Sequence, residues 1–295
     1  MSVPTIDVAL VTQFGHQVHV AAQQMKARLR DAVTVKPMSG DIFAYDGLGP
    51  VEASEQISRH QPVQFSDIVH SRRKISRRRF TLVLPIDASD VRGALVSPHS
   101  EYPAACARAM ERVFDRIVVE AMFAAVLTGR DMGTSVTFAN DGGDTINATA
   151  GLTYEKLLEQ TRLFLDDEVG TDVPEKMVMG LSGDEHEDLM LETELVSGDF
   201  SRQYAIDKGR MISAAGYDLK HFAGAVTNPI LAVSGGVRDC FSMSTRAMCV
   251  GMSKEPSLKI EPRADLIETD QVKIVFELGA VRTEGKLIKK VQTTD

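Results

Sequence analysis

Ser71-Arg72-Arg73-Lys74-Ile75-Ser76-Arg77-Arg78-Arg79 runs directly into Phe80-Thr81-Leu82-Val83-Leu84-Pro85-Ile86-Asp87. Six of the eight residues from Arg72 to Arg79 are Lys or Arg. The alternation that follows, with Phe80, Leu82 and Leu84 on one side, predicts a strand. Upstream, Pro37, Gly40, Gly47, Gly49, Pro50 and Pro62 punctuate the short runs Val33-Thr34-Val35 and Ile42-Phe43-Ala44-Tyr45, which predict short strands or extended loop. Paired, the two extended stretches predict a long antiparallel hairpin with a stem over residues 42 to 87. In an extended segment alternate side chains face opposite ways, so the arginines are expected to cover both sides of one hairpin arm.

Downstream, Ser100 reads as an N-cap, Glu101 suits the positive helix end and Pro103 is tolerated in the first turn. Cys106, Met110, Val113, Phe114, Ile117, Val118, Ala121, Met122 and Ala125 then keep helical spacing to Leu127, with Gly129 as the stop. About 27 residues at ~1.5 Å each give a rod of roughly 40 Å. Before the hairpin, Val8, Val11, Phe14, Val18, Ala22, Met25 and Leu29 form one apolar stripe over Thr5 to Arg30, predicting a helical arm that lies along another part of the fold or a neighbouring subunit. Further on, the pattern predicts a strand at Ser135–Phe138, a helix capped by Thr153, a strand at Met177–Leu181 and a helix capped by Ser182-Gly183-Asp184-Glu185. Ser197 to Gly251 reads as an α+β region with a mixed sheet. The tail reads as strands at Ser257–Glu261 and Val272–Leu278, a turn, and Gly279 through Val291.

The 295 residues are 43% hydrophobic and 25% charged, which excludes a disordered, collagen-like or disulfide-scaffold chain. The odd, widely spaced Cys106, Cys240 and Cys249 predict buried thiols without disulfides. No basic and apolar leader opens the sequence and no run of about 18 apolar residues occurs, so neither secretion nor membrane insertion is expected. Net charge is −8 but unevenly spread. Against the basic run stand fourteen Asp or Glu between Glu155 and Asp199, opposed only by Lys156, Arg162 and Lys176. A basic hairpin and a separate acidic region in one chain match self-association through complementary charge. A DNA-binding module is the rival reading of the run, although no aromatic residue interleaves it and no helix-turn-helix pattern adjoins it.

Asp184-Glu185-His186-Glu187-Asp188 is the most enzyme-like string and supports a metal-dependent hydrolase as a further rival. Helical neighbours point about 100° apart, so the five cannot converge on one ion. Acidic residues at a helix start also serve the helix dipole. His16 and His19 have no third ligand nearby, and no nucleophile elbow, P-loop or dinucleotide fingerprint occurs. No catalytic, cofactor-binding or metal-binding residue is assigned.

The order of arm, hairpin, long helix, mixed region and closing strands resembles the major capsid proteins of tailed bacteriophages with the Hong Kong 97-type fold. The stretches Gly40-Asp41-Ile42-Phe43-Ala44-Tyr45-Asp46-Gly47-Leu48-Gly49, Leu84-Pro85-Ile86-Asp87 and Val272 to Lys286 carry the likeness. The resemblance implies an α+β fold with an N-terminal arm (1–39), an extended hairpin or E-loop (40–87), a peripheral domain with a spine helix (88–176), an axial domain (177–251) and closing peripheral strands (252–295). It implies a non-enzymatic shell protein, without cofactor, that assembles into hexamers and pentamers of an icosahedral head enclosing double-stranded DNA. The implied partners are copies of itself, a separate scaffolding protein, a portal, a decoration protein and non-specifically contacted DNA, with no membrane. The implied location is the virion, and the host cytoplasm during assembly. An encapsulin-like cellular shell of the same fold is the nearest alternative. Arg72, Arg73, Lys74, Arg77, Arg78 and Arg79, with Phe14 and Val18 of the arm, are the expected intersubunit contacts. Reversing the charge of Arg77, Arg78 and Arg79 is expected to block assembly in light scattering while circular dichroism of the subunit stays unchanged.

Overall fold

Strand pairing begins where the alternation does, because a face carrying Phe80, Leu82, Leu84 and Ile86 must be covered. The computed structural model describes residues 24, 26–53, 55, 65–87, 98–147, 151–170, 175–192, 195, 211–224, 229–263, 265 and 269–294, with side chains of the long helix from 102 onward. In chain order the described strands and helices are β1 (Thr34–Pro37), β2 (Ile42–Leu48), β3 (His70–Ser76), β4 (Arg78–Asp87), α1 (Pro98–Phe123), β5 (Val126–Thr128), β6 (Thr134–Val136), β7 (Asp144–Ile146), α2 (Tyr154–Asp166), β8 (Met177–Leu181), α3 (Gly183–Leu191), β9 (Ser213–Ala214), β10 (Tyr217–His221), β11 (Val233–Ser234), β12 (Val237–Ser244), β13 (Met248–Pro262), β14 (Thr269–Arg282) and β15 (Ile288–Thr294).

One sheet has the order β1-β13-β14-β4. Phe80, Leu82 and Leu84 stand opposite Phe276, Ile274 and Val272, and these share one core with Cys106, Met110, Phe114, Ile117 and Val118 of α1. The second sheet, β7-β15-β12-β8-β10-β9 with β11 on β12, mixes parallel and antiparallel pairs. The third, β2-β3-β5-β6, contains the hairpin. The result is a mixed α+β fold. All three cysteines are buried and free.

Three expectations are corrected. The hairpin stem ends at Ser76: β2 pairs with β3 from Ile42 opposite Ser76 to Leu48 opposite His70. β4 leaves it and runs antiparallel to β14 instead. The reason is burial, since β14 pairs with β4 over ten residues and sets the buried Val272, Ile274 and Phe276 opposite Leu84, Leu82 and Phe80, an apolar face that β2 does not offer. The long helix stops at Phe123, and Val126 turns into a small core with Met38, Ile75, Cys249 and Val281 at the hairpin root. Gly129 therefore turns β5 into β6, at φ +93°, rather than stopping the helix. No turn occurs at Gly279, because β14 passes straight through it beneath the hairpin. A Cβ on Gly279 would come within 2.2 Å of the Ser76 carbonyl, so this close crossing requires glycine.

The helix begins at Pro98, two residues ahead of the expected cap. Most of the expected N-terminal helix, including Phe14, Val18, His16 and His19, lies outside the described residues. Its described end is not α-helical, with Arg30–Ala32 forming a 3-10 turn. That end is pinned to α1. The fully buried Asp115 carboxylate accepts the Arg28 N–H (2.9 Å), the Leu29 N–H (3.0 Å) and the Gln24 side-chain amide. Glu111 accepts the Ala27 N–H at 3.0 Å. Burial pushes the Asp115 carboxyl up, and these donors oppose the shift. Orphaned backbone N–H groups cost about 1–3 kcal/mol each, partly relieved where water enters. Asp115→Ala is therefore expected to lower subunit stability by about 2 kcal/mol in urea unfolding.

Candidate interaction surface at the hairpin

Cross-strand geometry separates the basic run into three environments. On the outer side, Arg72 faces Asp46 across the hairpin and holds it by two bonds, at 2.6 and 3.2 Å. The guanidinium keeps the Asp46 carboxyl below the usual range.

Arg73 points the other way, onto the face with Ile75, and is only 7% exposed. Its Nη1 and Nη2 each donate to Asp141 at 2.7 Å. The same carboxylate accepts Arg282 Nε at 2.7 Å, and Arg282 is fully buried at the end of β14. Arg282 also donates to the carbonyls of Met122 (3.2 Å), Ala124 and Val136 (3.1 Å). It thereby satisfies carbonyl groups left open where α1 ends. Burial alone would push the Asp141 carboxyl up, but the two guanidiniums outweigh it and hold it below the usual aspartate range. The expected surface role of Arg73 thus gives way to an internal one. Alternation carried the signal, since residues 73 and 75 share a face with Phe43 and Tyr45, their partners on β2. Asp141 and Arg282 had no local signal.

Lys74, Arg77, Arg78 and Arg79 surround the hairpin root. Arg77 binds Asp41 and, at 3.1 Å, Glu277. Arg79 reaches the other oxygen of Glu277 at 3.4 Å. Arg78 pairs with Glu120 at 2.9 Å on the rim of a cleft of about 200 Å³. The cleft floor is apolar, with Ile117, Ala121, Val126 and Val281. Lys74 also lines it, and makes no ion pair with any described residue. The basic run is therefore largely charge-compensated within the chain rather than a free cationic face.

Among the described residues at the opposite end of the hairpin, several large apolar side chains are exposed. Leu48, Val51, Phe65, Ile68 and Val69 are all exposed, Phe65 at 95% and Val69 at 70%. Large apolar side chains gathered at one exposed place mark a contact surface.

The Asp184–Asp188 string is taken up by structural contacts, with Arg238 pairing with both Asp184 and Glu185 (2.9 and 3.2 Å). Ser182 and Glu185 form the expected capping box, with the Ser182 N–H donating to Glu185 at 2.8 Å. Asp184 pairs with Arg238 at 2.9 Å, Glu185 accepts from Thr293 at 2.7 Å, and Asp188 accepts the Leu152 N–H. His186 Nε2 accepts the Met211 N–H at 2.9 Å. Among the described residues no three His, Cys, Asp or Glu converge to hold a metal ion. No described helix is long and apolar enough to cross a membrane.

Removing Asp141 leaves two guanidiniums around an empty place. Asp141→Ala is expected to lower subunit stability by about 3 kcal/mol in chemical denaturation. The depressed carboxyl contributes stability that is fully present above the ordinary aspartate value of 3.8 and lost as pH falls through its lower folded value. Asp141→Asn should therefore unfold with a flatter acid limb below pH 3.8 than the parent.

A family model described as phage capsid protein matches residues 6–294. No curated protein matches the chain. Among solved structures, the capsid of cyanophage P-SCSP1u superposes with a TM-score of 0.71 at 12% identity, covering 97% of this chain and 94% of that one. The cyanophage Pam1 capsid asymmetric unit gives 0.70 at 12% identity, with 99% and 98% covered. A chain from Mycobacterium phage Che8 gives 0.67 at 10% identity, with 95% and 96% covered. At such identities the likeness is one of fold.

Proposed function

Because this chain belongs to the phage capsid protein family, whose members are structural proteins of the virion shell and not enzymes, we propose that it assembles into hexamers and pentamers of an icosahedral head enclosing double-stranded DNA. In this reading the parts are those of the Hong Kong 97-type fold: residues 1–39 are the arm, the β2–β3 hairpin within 40–87 is the E-loop, α1 within 88–176 is the spine helix, 177–251 form the axial domain and 252–295 the closing strands. The hairpin and the arm, including Phe14 and Val18, reach neighbouring copies. Arg72, Lys74, Arg77, Arg78 and Arg79 flank that contact, while Arg73 braces the hairpin from inside. A separate scaffolding protein, a portal and a decoration protein complete the particle, which assembles in the host cytoplasm. A net charge of −8 limits adhesion of the packaged genome to the wall.

The observation that carries the reading is the exposed apolar end of the hairpin, Phe65 and Val69 above all. A shell subunit gains stability by spreading such surface over neighbours, in contacts repeated around closed rings. The expressed chain, with or without a co-expressed scaffold, should give closed particles in electron microscopy, and a monomer at high concentration would overturn the reading. Phe65→Asp with Val69→Asp touches nothing buried in the subunit. Its unfolding free energy should stay within about 0.5 kcal/mol of the parent, while particle yield falls at least tenfold.

A further inference from the structure

The buried side of α2 carries polar groups into an otherwise apolar core. Lys156, Gln160 and Phe164 follow one another at one helical turn and are all buried. They cover the face of the second sheet that holds Cys240, Ser242 and Ser244, alternate residues of β12. Three relations fix this placement. Lys289 stands opposite Ser242 and sets its ammonium over the Phe164 ring, 5.4 Å from the centroid. The Thr161 hydroxyl meets that of Tyr217 at 3.2 Å, and Tyr217 shares the face of Ser244 through Met177. Lys156 lies within electrostatic reach of Cys240. Gln160, one turn from both Lys156 and Phe164, therefore lies over Ser242.

The polar groups around this pair have their partners. Lys289 Nζ holds Asp144 and Asp167, each at 2.6 Å, Lys156 Nζ donates to the Gly151 carbonyl at 2.7 Å, and the Ser244 hydroxyl donates to Glu175 at 2.5 Å. Gln160 and Ser242 are themselves fully buried. Yet Gln160 Nε2, Gln160 Oε1 and Ser242 Oγ bond neither each other nor any other described residue. Left bare, each would carry its full desolvation cost. We propose that Gln160 and Ser242 form an internal binding site for water, bridged between the side-chain amide on α2 and the hydroxyl on β12. The amide offers a donor and an acceptor and the hydroxyl offers both, so the guest is small, neutral and able to donate and accept, which water is. A cation would find no carboxylate here beyond those already held by Lys289, and an anion would be repelled by the same two carboxylates. The site lies inside the subunit and is independent of the shell reading.

A double-mutant cycle on the full chain, read by urea unfolding, tests the bridge, with Gln160→Met as a near-isosteric change and Ser242→Ala as its partner. Where water couples the two, each single variant strands the other group and should lower the folded-to-unfolded ratio about fivefold. The double variant releases the water and leaves no polar group behind, so it should lose no more than either single variant, whereas independent effects would multiply to about 25-fold. A high-resolution density map of the parent should show one ordered peak within hydrogen-bond distance of both the Gln160 amide and Ser242 Oγ. Three results would each overturn the site: single variants as stable as the parent or more so, effects that simply multiply in the double variant, or a map with no such peak, whether the two side chains bond directly or face a dry core.

Discussion

Arg73 and Arg282 close on the two oxygens of Asp141 where little water reaches, and three parts of the chain distant in sequence meet there. Arg73 belongs to β3 of the hairpin, Arg282 to the end of β14, and Asp141 to a short turn after β6. Arg282 also holds the Met122 and Ala124 carbonyls where α1 ends. A buried charge that loses its partner costs far more than a surface pair gains. The hairpin's direction relative to the helix is thus set by a constraint that tolerates little angular freedom. The small core of Met38, Ile75, Val126, Cys249 and Val281 fills the space around it.

The crossing of β14 beneath the hairpin follows from the same arrangement. Gly279 lets the two backbones touch, and Glu277, two residues earlier, gathers Arg77 and Arg79 as the chain turns from one sheet into the other. Charges that look like a cationic tag are mostly consumed in fixing this junction. Exposed apolar side chains remain at the described part of the hairpin's distal end, and an apolar-floored cleft opens beside its root. The distal end belongs to an element that buries little of itself in its own subunit, whereas the cleft is walled mainly by α1, β5 and β14 beside the hairpin root.

Legibility differed by element. Met177–Leu181 and the Ser182–Glu185 cap stand where their spacing places them, since each depends on neighbours within a few residues. The hairpin stem, the end of α1 and the supposed turn at Gly279 were misread for one common reason. In each case a partner more than forty residues away outcompeted the local pattern: β14 for β4, the hairpin-root core for Val126, and Ser76 for Gly279. In the basic run, composition named the charge correctly but only strand alternation, applied residue by residue, separates inward Arg73 from outward Arg72 and Lys74.

By itself the amino-acid sequence determined the mixed α+β class, locally patterned elements such as Met177–Leu181 and the helix capped by Ser182, the absence of paired cysteines and the polarity of charge along the chain, because these follow from short-range periodicity and composition. Only the tertiary structure decided which strand the residues after the basic run pair with, that Arg73 is internal, and that Lys74 faces an open apolar cleft. Those outcomes depend on which distant surfaces can be buried together and which buried charges find a counter-charge, and that competition is settled in three dimensions rather than along the chain.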